Sequence, residues 1–185
     1  TLTQVNDVDT RKQRFAINFR GSVHDRAISI RDAVLVTSIT ERNRHLQDIR
    51  ELDAFYQQSA QGMDRLFASE GRVSGDERQL LAQIKEIEQT TLALTAQTLN
   101  FLQQDDVYRA QEFVLEQVSP AYAEWLKRIN AFIDYQEQVI QQEVSFVRAE
   151  TSGFKLLMVL ITAVSLVVGR SEEHTSELQS HSDLV

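Results

Sequence analysis

An arginine interrupts an apolar face of the first predicted helix, and its position makes it the first candidate for chemistry. Apolar residues recur along this face at spacings of four, four, seven and four: Phe15, Phe19, Val23, Ile30 and Val34. Arg26 falls on the same face between Val23 and Ile30, where an apolar residue is expected. A guanidinium in an apolar interior can hold a carboxylate through two parallel hydrogen bonds. The pattern therefore indicates that Arg26 binds a small organic anion.

Polar residues on the other predicted helices fall near the depth of Arg26. We measure depth along the helices from the turns near Ser38 and Gln104, at about 1.5 Å per residue. Asp53, Thr91 and the stretch 118–122 then lie at the same depth as Arg26. Thr98 lies about two turns higher. Arg20 and Arg31 lie on the flank of the first helix, where they could reach a ligand only at the bundle edge or across a dimer. The predicted ligand-binding residues are Arg26, Arg20, Arg31, Thr91, Thr98 and Tyr122.

Each candidate also has a structural interpretation. Arg26 could pair with Asp53, or extend its head to solvent over an apolar stem. The threonines could bond to their own helix, and Tyr122 could fill the core. Arg20 and Arg31 could be solvated charges.

The first helix carries a second stripe on roughly its opposite side. Its members are Ile17, Gly21, His24, Ile28 and Leu35. A surface helix needs only one apolar stripe, so the second one predicts packing against another partner. A second copy of the chain is the expected partner, which makes this stripe the predicted dimer interface.

Composition narrows the fold class and the function. The 185 residues are 42% hydrophobic and 25% charged, with one proline, six glycines and no cysteine. Few turn residues indicate an all-α protein, and a net charge of −8 offers no basic surface for nucleic acid. Without Glu-x-x-His pairs, cysteine ligands or Gly-rich phosphate loops, we expect no metal, no cofactor and no enzymatic activity.

Helical periodicity places four long elements in residues 1–152. The first covers 1–36, and the second follows an N-cap at Thr40 and ends near Ala68. The third begins at Ser74 or Asp76, and the fourth begins near Val107 and is interrupted at Ser119-Pro120, where we expect a kink or a restart. Short connections predict an antiparallel up-down-up-down four-helix bundle whose last helix runs into a membrane segment.

The end of the chain changes character twice. Residues 153–169, which contain the apolar run FKLLMVLITAVSLVVG, are expected to be a truncated transmembrane helix. A buried or interfacial helix is the alternative for a run this short. Residues 170–185 begin RSEEHTSELQS, which resembles a translated sequencing adapter, so we expect no native structure there.

These features resemble the periplasmic ligand-binding domain of bacterial methyl-accepting chemotaxis receptors, the class of the aspartate and serine receptors. The resemblance is sharpest in INFRGSVHDRAISIRDAVL, from Ile17 to Leu35, and weaker in VSPAYAEWLKRINAFIDYQEQ, from Val118 to Gln138. It implies a homodimer in the inner (cytoplasmic) membrane with residues 1–152 in the periplasm.

The same resemblance implies the ligand and the output. The ligand would be a di- or tricarboxylate or an acidic amino acid, held by arginines of the first helix and polar groups of the fourth. The signal would pass through the second transmembrane helix to a histidine kinase and a coupling protein. A sensor domain of a membrane histidine kinase or cyclase, and a protein-interaction bundle with no small-molecule ligand, are the alternatives.

Overall fold

A computed structural model describes residues 2–69, 73–142, 144–146 and 158, and these residues form an all-α structure without strands. The helices are α1 (Leu2–Leu35), α2 (Ile39–Ser69), α3 (Gly75–Gln103) and α4 (Val107–Phe113). A π-helical turn (Val114–Val118) follows α4 and leads into α5, at 119–140. We refer to 107–140 as the fourth helical run. The all-α prediction is confirmed.

The chain divides into two compact units, Thr1–Ile140 and Gln141–Val185. The first unit contains α1 to α5. In the second, the structure describes only residues 141–142 and 144–146, which are helical, and Met158. The predicted membrane segment at 153–169 therefore lies outside the described residues except for Met158, and the adapter-like end at 170–185 lies wholly outside them. None of the helices within the described ranges has the length and apolar character to cross a membrane.

Contacts between successive helices pair residues in opposite sequence directions. Between α1 and α2, Asn18 Nδ2 donates to Ser59 Oγ (3.1 Å), and Ser22 Oγ donates to the Leu52 carbonyl (2.6 Å). The helices α2 and α3 also pair in opposite directions, at Asp64–Lys85 and Gln57–Glu88. So do α3 and the fourth run, at Ser74–Tyr135 and Thr95–Tyr122. These contacts bring one face of each helix into a shared core.

The first predicted stripe of α1 lies in that core. Phe19, Val23, Ile30 and Val34 are almost fully buried. Phe15, the remaining member, is partly buried, and a Cβ at position 62 would collide with its ring. Glycine at this position of α2 therefore allows the two helices to approach closely.

The serines Ser74 and Ser38 lie at the starts of α3 and α2. Ser74 caps α3: its Oγ accepts from the Glu77 N–H (3.1 Å), and the Glu77 carboxylate accepts from the Ser74 N–H (2.7 Å). This confirms one of the two predicted caps. The predicted N-cap at Thr40 is wrong, because α2 begins at Ile39 and the Glu41 N–H approaches Ser38 Oγ (3.4 Å).

Of the two outcomes predicted at Ser119-Pro120, a kink or a restart, the restart does not occur, because helical geometry continues through both residues. Ser119 has φ −62° and ψ −43°, and its N–H bonds to the carbonyl of Val114, five residues earlier. Pro120 has no N–H to donate to the preceding turn. The chain accommodates the proline by widening into a π-helical turn before it, a feature that is frequent at functional sites.

A buried ionic network ties α1, α3 and α5 together near the start of α3. Lys12 Nζ donates to Asp9 Oδ1 (3.0 Å) and Glu77 Oε1 (2.7 Å), and Gln136 Nε2 donates to the same Glu77 oxygen (2.7 Å). Burial opposes both charges, but the hydrogen bonds and opposite charges outweigh it. The pKa of Lys12 is consequently raised and the pKa of Glu77 is lowered.

We predict that Glu77→Gln lowers the free energy of unfolding by about 1.5–3 kcal/mol at pH 7, because it removes one of the two carboxylates that compensate the buried charge of Lys12. Since the folded pKa of Glu77 is lowered, its stabilising effect exists above its ordinary pKa of about 4.5 and is lost as the pH falls through the folded value. Urea unfolding of wild type and variant at pH 7 and pH 3.5 measures both effects. A variant as stable as wild type at pH 7 would contradict the prediction, and Lys12→Met/Glu77→Gln should recover part of the loss.

Candidate functional site

Arg26 is a buried cation that packs against two aromatic rings, which also contact each other. Its side chain is 1% exposed, and Nη1 donates to Asp53 Oδ1 (2.7 Å), whose side chain is 43% exposed. The guanidinium carbon lies 5.2 Å from the ring centre of Tyr56 and 4.9 Å from that of Trp125. The stripe on α1 thus places Arg26 against α2 and the fourth run. Both rings stabilise the positive charge.

One edge of this guanidinium has no partner. Arg26 Nε and Nη2 are buried and have no hydrogen-bond acceptor among the described residues. These two N–H groups lie on the same edge of the guanidinium, the edge that grips a carboxylate through two parallel bonds. Because a buried charged donor without an acceptor is costly, an acceptor from outside the described chain would complete the arrangement.

Glu88 forms the second charged part of the site. Its Oε2 accepts from the Tyr56 hydroxyl (3.0 Å), and its Oε1 accepts from Gln57 Nε2 (3.2 Å). Burial raises the pKa of Glu88 although these bonds and Arg26 act to lower it. Burial also raises the pKa of Tyr56, with Glu88 adding to the shift, so that this hydroxyl remains a donor. The indole N–H of Trp125 lies near the Tyr56 hydroxyl.

Tyr122 joins the site through a threonine that the sequence analysis did not select. Thr95 Oγ1 donates to the Thr91 carbonyl (2.8 Å), so the Tyr122 hydroxyl is the donor in its 3.2 Å bond with Thr95. The Tyr122 ring packs against Trp125 with ring centres 6.0 Å apart. Burial raises the pKa of Tyr122, and the charge of Arg26 opposes that shift. Tyr122 therefore lies within electrostatic reach of Arg26.

The two predicted threonines are fully buried, but their hydroxyl protons are used within α3. Thr91 Oγ1 donates to the Ile87 carbonyl (2.7 Å) and Thr98 Oγ1 donates to the Leu94 carbonyl (3.1 Å). Their oxygens remain acceptors only. An anionic ligand needs donors, so neither hydroxyl can serve it without turning away from its own helix.

The two predicted flanking arginines lie on the surface rather than with Arg26. Arg31 is 55% exposed and contacts Asp32 Oδ1 through Nε (3.2 Å) and Nη2 (3.1 Å). Arg20 is exposed and lines a groove of about 340 Å³ between α1 and α5. The other residues lining this groove are Gly21, His24, Leu126 and Asn130.

The second stripe of α1 is open to solvent in the single chain. Ile17, Ile28 and Leu35 are 42%, 37% and 59% exposed, and Gly21 and His24 are also exposed. The groove at Arg20 adjoins this stripe. The predicted dimer interface is thus an accessible surface with large apolar side chains.

Comparison with known proteins does not identify a family: no family model matches the chain, and no curated protein or solved structure matches it. Within the part of the chain that the structure describes, no group of three or more His, Asp or Glu residues could hold a metal ion. The function has to be inferred from the geometry around Arg26.

We predict that Arg26→Met leaves the free energy of unfolding unchanged or raises it by up to about 2 kcal/mol, because it removes a buried charge with two unpaired N–H groups. Asp53 would remain half exposed to water. Lys12→Met is the matched control, and it should lower the free energy of unfolding because it leaves Asp9 and Glu77 without their cation. Urea denaturation measures both variants. An equal loss in the two would indicate that Arg26 is a structural ion-pair residue.

Proposed function

We propose that residues 1–152 are the extracytoplasmic sensor domain of a chemotaxis transducer that binds a small organic anion through Arg26. The observation that carries this proposal is the unpaired Nε/Nη2 edge of an arginine that is 1% exposed. A protein that needed Arg26 only for stability would do better with an apolar residue at this position. A carboxylate supplies the two acceptor oxygens that this edge lacks.

The nature of the anion and the topology rest on the sequence resemblance. We infer a di- or tricarboxylate or an acidic amino acid as the ligand, within an up-down-up-down bundle. The opposite sequence directions of the helix pairings support that topology. In the full protein, residues 153–169 would belong to the second transmembrane helix in the inner membrane. A histidine kinase and a coupling protein would receive the signal.

The contacts of Arg26 suggest how the ligand would act on the fourth run. Arg26 belongs to α1, while Trp125 and Tyr122 belong to α5, just after the π-helical turn Val114–Val118. A ligand that draws the guanidinium toward itself changes the packing of Arg26 on Trp125. The π-helical turn can absorb a small shift of α5. Ligand binding would then favour one position of α5 relative to α1 over another.

We also propose that the second stripe of α1 forms a homodimer interface. Gly21 lies in the middle of a helix, where glycine costs about 1 kcal/mol relative to alanine. A Cβ at Gly21 would meet nothing within 4 Å among the described residues, so packing within the chain does not require glycine there. Close approach of a second copy would explain it, with the exposed Ile17 and Ile28 on either side.

The same surface also supports a second candidate function. A bundle that only docks a partner protein would need the exposed stripe of α1 but would have no use for the unpaired edge of Arg26. A sensor of a membrane kinase or cyclase would use both features as a chemotaxis transducer does. Ligand binding therefore separates the docking bundle from the sensors, and the output domain separates the sensors from one another.

We predict that at least one of succinate, citrate and L-aspartate, at a hundred times its dissociation constant, adds about 2.7 kcal/mol of stability and raises the melting temperature by about 5–10 °C. Succinamide, which lacks the charges, should give no shift. Trp125 is the only tryptophan in the chain and contacts Arg26, so its fluorescence reports binding independently. Both signals should disappear in Arg26→Met. No response to any of the three anions, or an equal response in Arg26→Met, would contradict the proposed site.

We predict that Gly21→Ala has opposite effects on the monomer and the dimer. It should stabilise the monomer by about 0.5–1 kcal/mol, since alanine favours the helix and has space there. It should weaken dimerisation, and Gly21→Leu and Ile28→Asp should weaken it more. Sedimentation equilibrium measures association, and urea denaturation of the dilute chain measures stability. Gln61→Asp, at an exposed position of α2, is the control. Unchanged association in Gly21→Leu and Ile28→Asp would place the interface elsewhere.

A further inference from the structure

Glu88 is a partly buried carboxyl group of α3 that lies within electrostatic reach of Arg26. Its two oxygens are held by Tyr56 and Gln57 of α2, at 3.0 and 3.2 Å. The same Tyr56 ring lies under the guanidinium of Arg26, 5.2 Å from the guanidinium carbon. Tyr56 thus connects the anion-binding edge of the site to a carboxyl group on α3.

Charged and titratable groups approach Glu88 from each helix packed around it. Arg26 comes from α1, Asp53 and Tyr56 come from α2, and Tyr122 of α5 lies within reach of Arg26 and Asp53. On α3 itself, Lys85 borders a cavity of about 10 Å³ together with Glu88. Lys85 is paired with Asp64 of α2 at 2.6 Å. The part of the cluster around Arg26 therefore has one buried cation, Arg26, for two carboxyl groups, the half-exposed Asp53 and the partly buried Glu88.

A ligand carboxylate on Arg26 would add a third negative charge to this cluster. In the poorly solvated interior, an uncompensated negative charge is expensive and favours protonation of a neighbouring carboxylate. Asp53 is 43% exposed and bonded directly to Arg26, so both water and a cation stabilise its charge. Glu88 has only the neutral donors Tyr56 and Gln57. It is therefore the group that is protonated at the lowest cost.

We propose, on the basis of the function proposed above, that an anion binds at Arg26 together with one proton, which is taken up by Glu88. The anion bonds to Nε and Nη2 of Arg26, and the proton comes from water and rests on a Glu88 oxygen. The site then gains no net charge when a monoanion binds. Affinity for the anion rises as the pH falls.

The electrostatics of Glu88 agree in direction with this proposal. Burial already raises its pKa above about 4.5, and the positive charge of Arg26 opposes that rise. An anion on Arg26 cancels this opposition and raises the pKa of Glu88 further. Between the pKa of the free protein and the higher pKa of the complex, affinity should rise by up to tenfold for each pH unit of acidification.

Isothermal titration calorimetry of the whole chain tests the proposal, with whichever of succinate, citrate and L-aspartate binds most tightly. Titrations at one pH in two buffers of different ionisation enthalpy count the protons taken up, and titrations from pH 5.5 to 7.5 give the pH dependence. Glu88→Gln removes the titrating group. Glu86→Gln, on the exposed side of the same helix, is the matched control. Protonation of the ligand itself is common to all three proteins and cancels in their comparison.

We expect wild type and Glu86→Gln to take up the same fraction of a proton, and Glu88→Gln to bind the anion with clearly less uptake and a flatter pH dependence. Tyr56→Phe keeps the ring under Arg26 but removes a hydrogen bond that lowers the pKa of Glu88, so its affinity profile should shift to higher pH. Equal proton uptake in wild type and Glu88→Gln, or an unshifted profile in Tyr56→Phe, would overturn the coupling while leaving the sensor function intact. Absence of binding in wild type would overturn both.

Discussion

The pairing of Arg26 with Asp53, packed against Tyr56 and Trp125, is the interaction on which the geometry of the candidate site depends. It lies where α1, α2 and α5 meet, and the two rings against Arg26, Tyr56 and Trp125, belong to a row of ring contacts that runs from Phe19 to Tyr122. A buried charge has to be compensated by partners, and here the compensation is incomplete: one nitrogen is paired with Asp53 while the opposite edge is not. The two rings and Asp53 contact the rest of the guanidinium, so the Nε/Nη2 edge is the part that is left for another acceptor. An unpaired, charged edge with two parallel donors is suited to anion recognition.

The other buried cation of the bundle shows the contrast. Lys12 is also 1% exposed, but two carboxylates accept its bonds, and the amide of Gln136 and the Ser74 N–H complete the coordination of Glu77. That network links α1, α3 and α5, and a role in stabilising the fold is enough to explain it. The two sites share the same burial and differ in how many donors find acceptors. Burial alone therefore does not distinguish the two cations, whereas the number of their N–H groups that find an acceptor does.

Periodicity predicted the helices and the residue at the centre of the site, because both depend on which side of a helix faces the core. The apolar stripe of α1 is buried as expected, and Arg26 lies inside it. Of the partners of Arg26, Asp53 was among the predicted ones and the pairing is confirmed, whereas the contacts with the third and fourth helices were harder to predict. Thr91, Thr98 and Tyr122 were selected by depth, yet Thr95 bonds to Tyr122, because contact across the bundle depends on the rotation of α3 as well as its height. Glu88 follows Ile84 by four residues, so it is a charged residue next to the apolar stripe of α3. A charge at an apolar stripe is the same signal that identified Arg26. Lys12 and Glu77 are 65 residues apart, and no local pattern links them.

The wrong N-cap at Thr40 and the restart that does not occur at Ser119-Pro120 have different causes. Neighbouring Ser38 and Thr40 can both cap a helix, and the choice depends on where the chain leaves α1. Proline removes one N–H and disfavours the α conformation before it, but a helix can keep its continuity by moving one bond to a residue five positions back. Tertiary packing favours the continuous helix here, because it keeps Val118 and Tyr122 on the same buried side across the proline. A regular helix that ended at Ser119 would have left α5 free to adopt another rotation, and Trp125 would no longer have a defined position over Arg26. The π-helical turn is thus part of what positions the site, and its irregular bonding makes it the segment of the fourth run best able to yield when the contacts of Arg26 change.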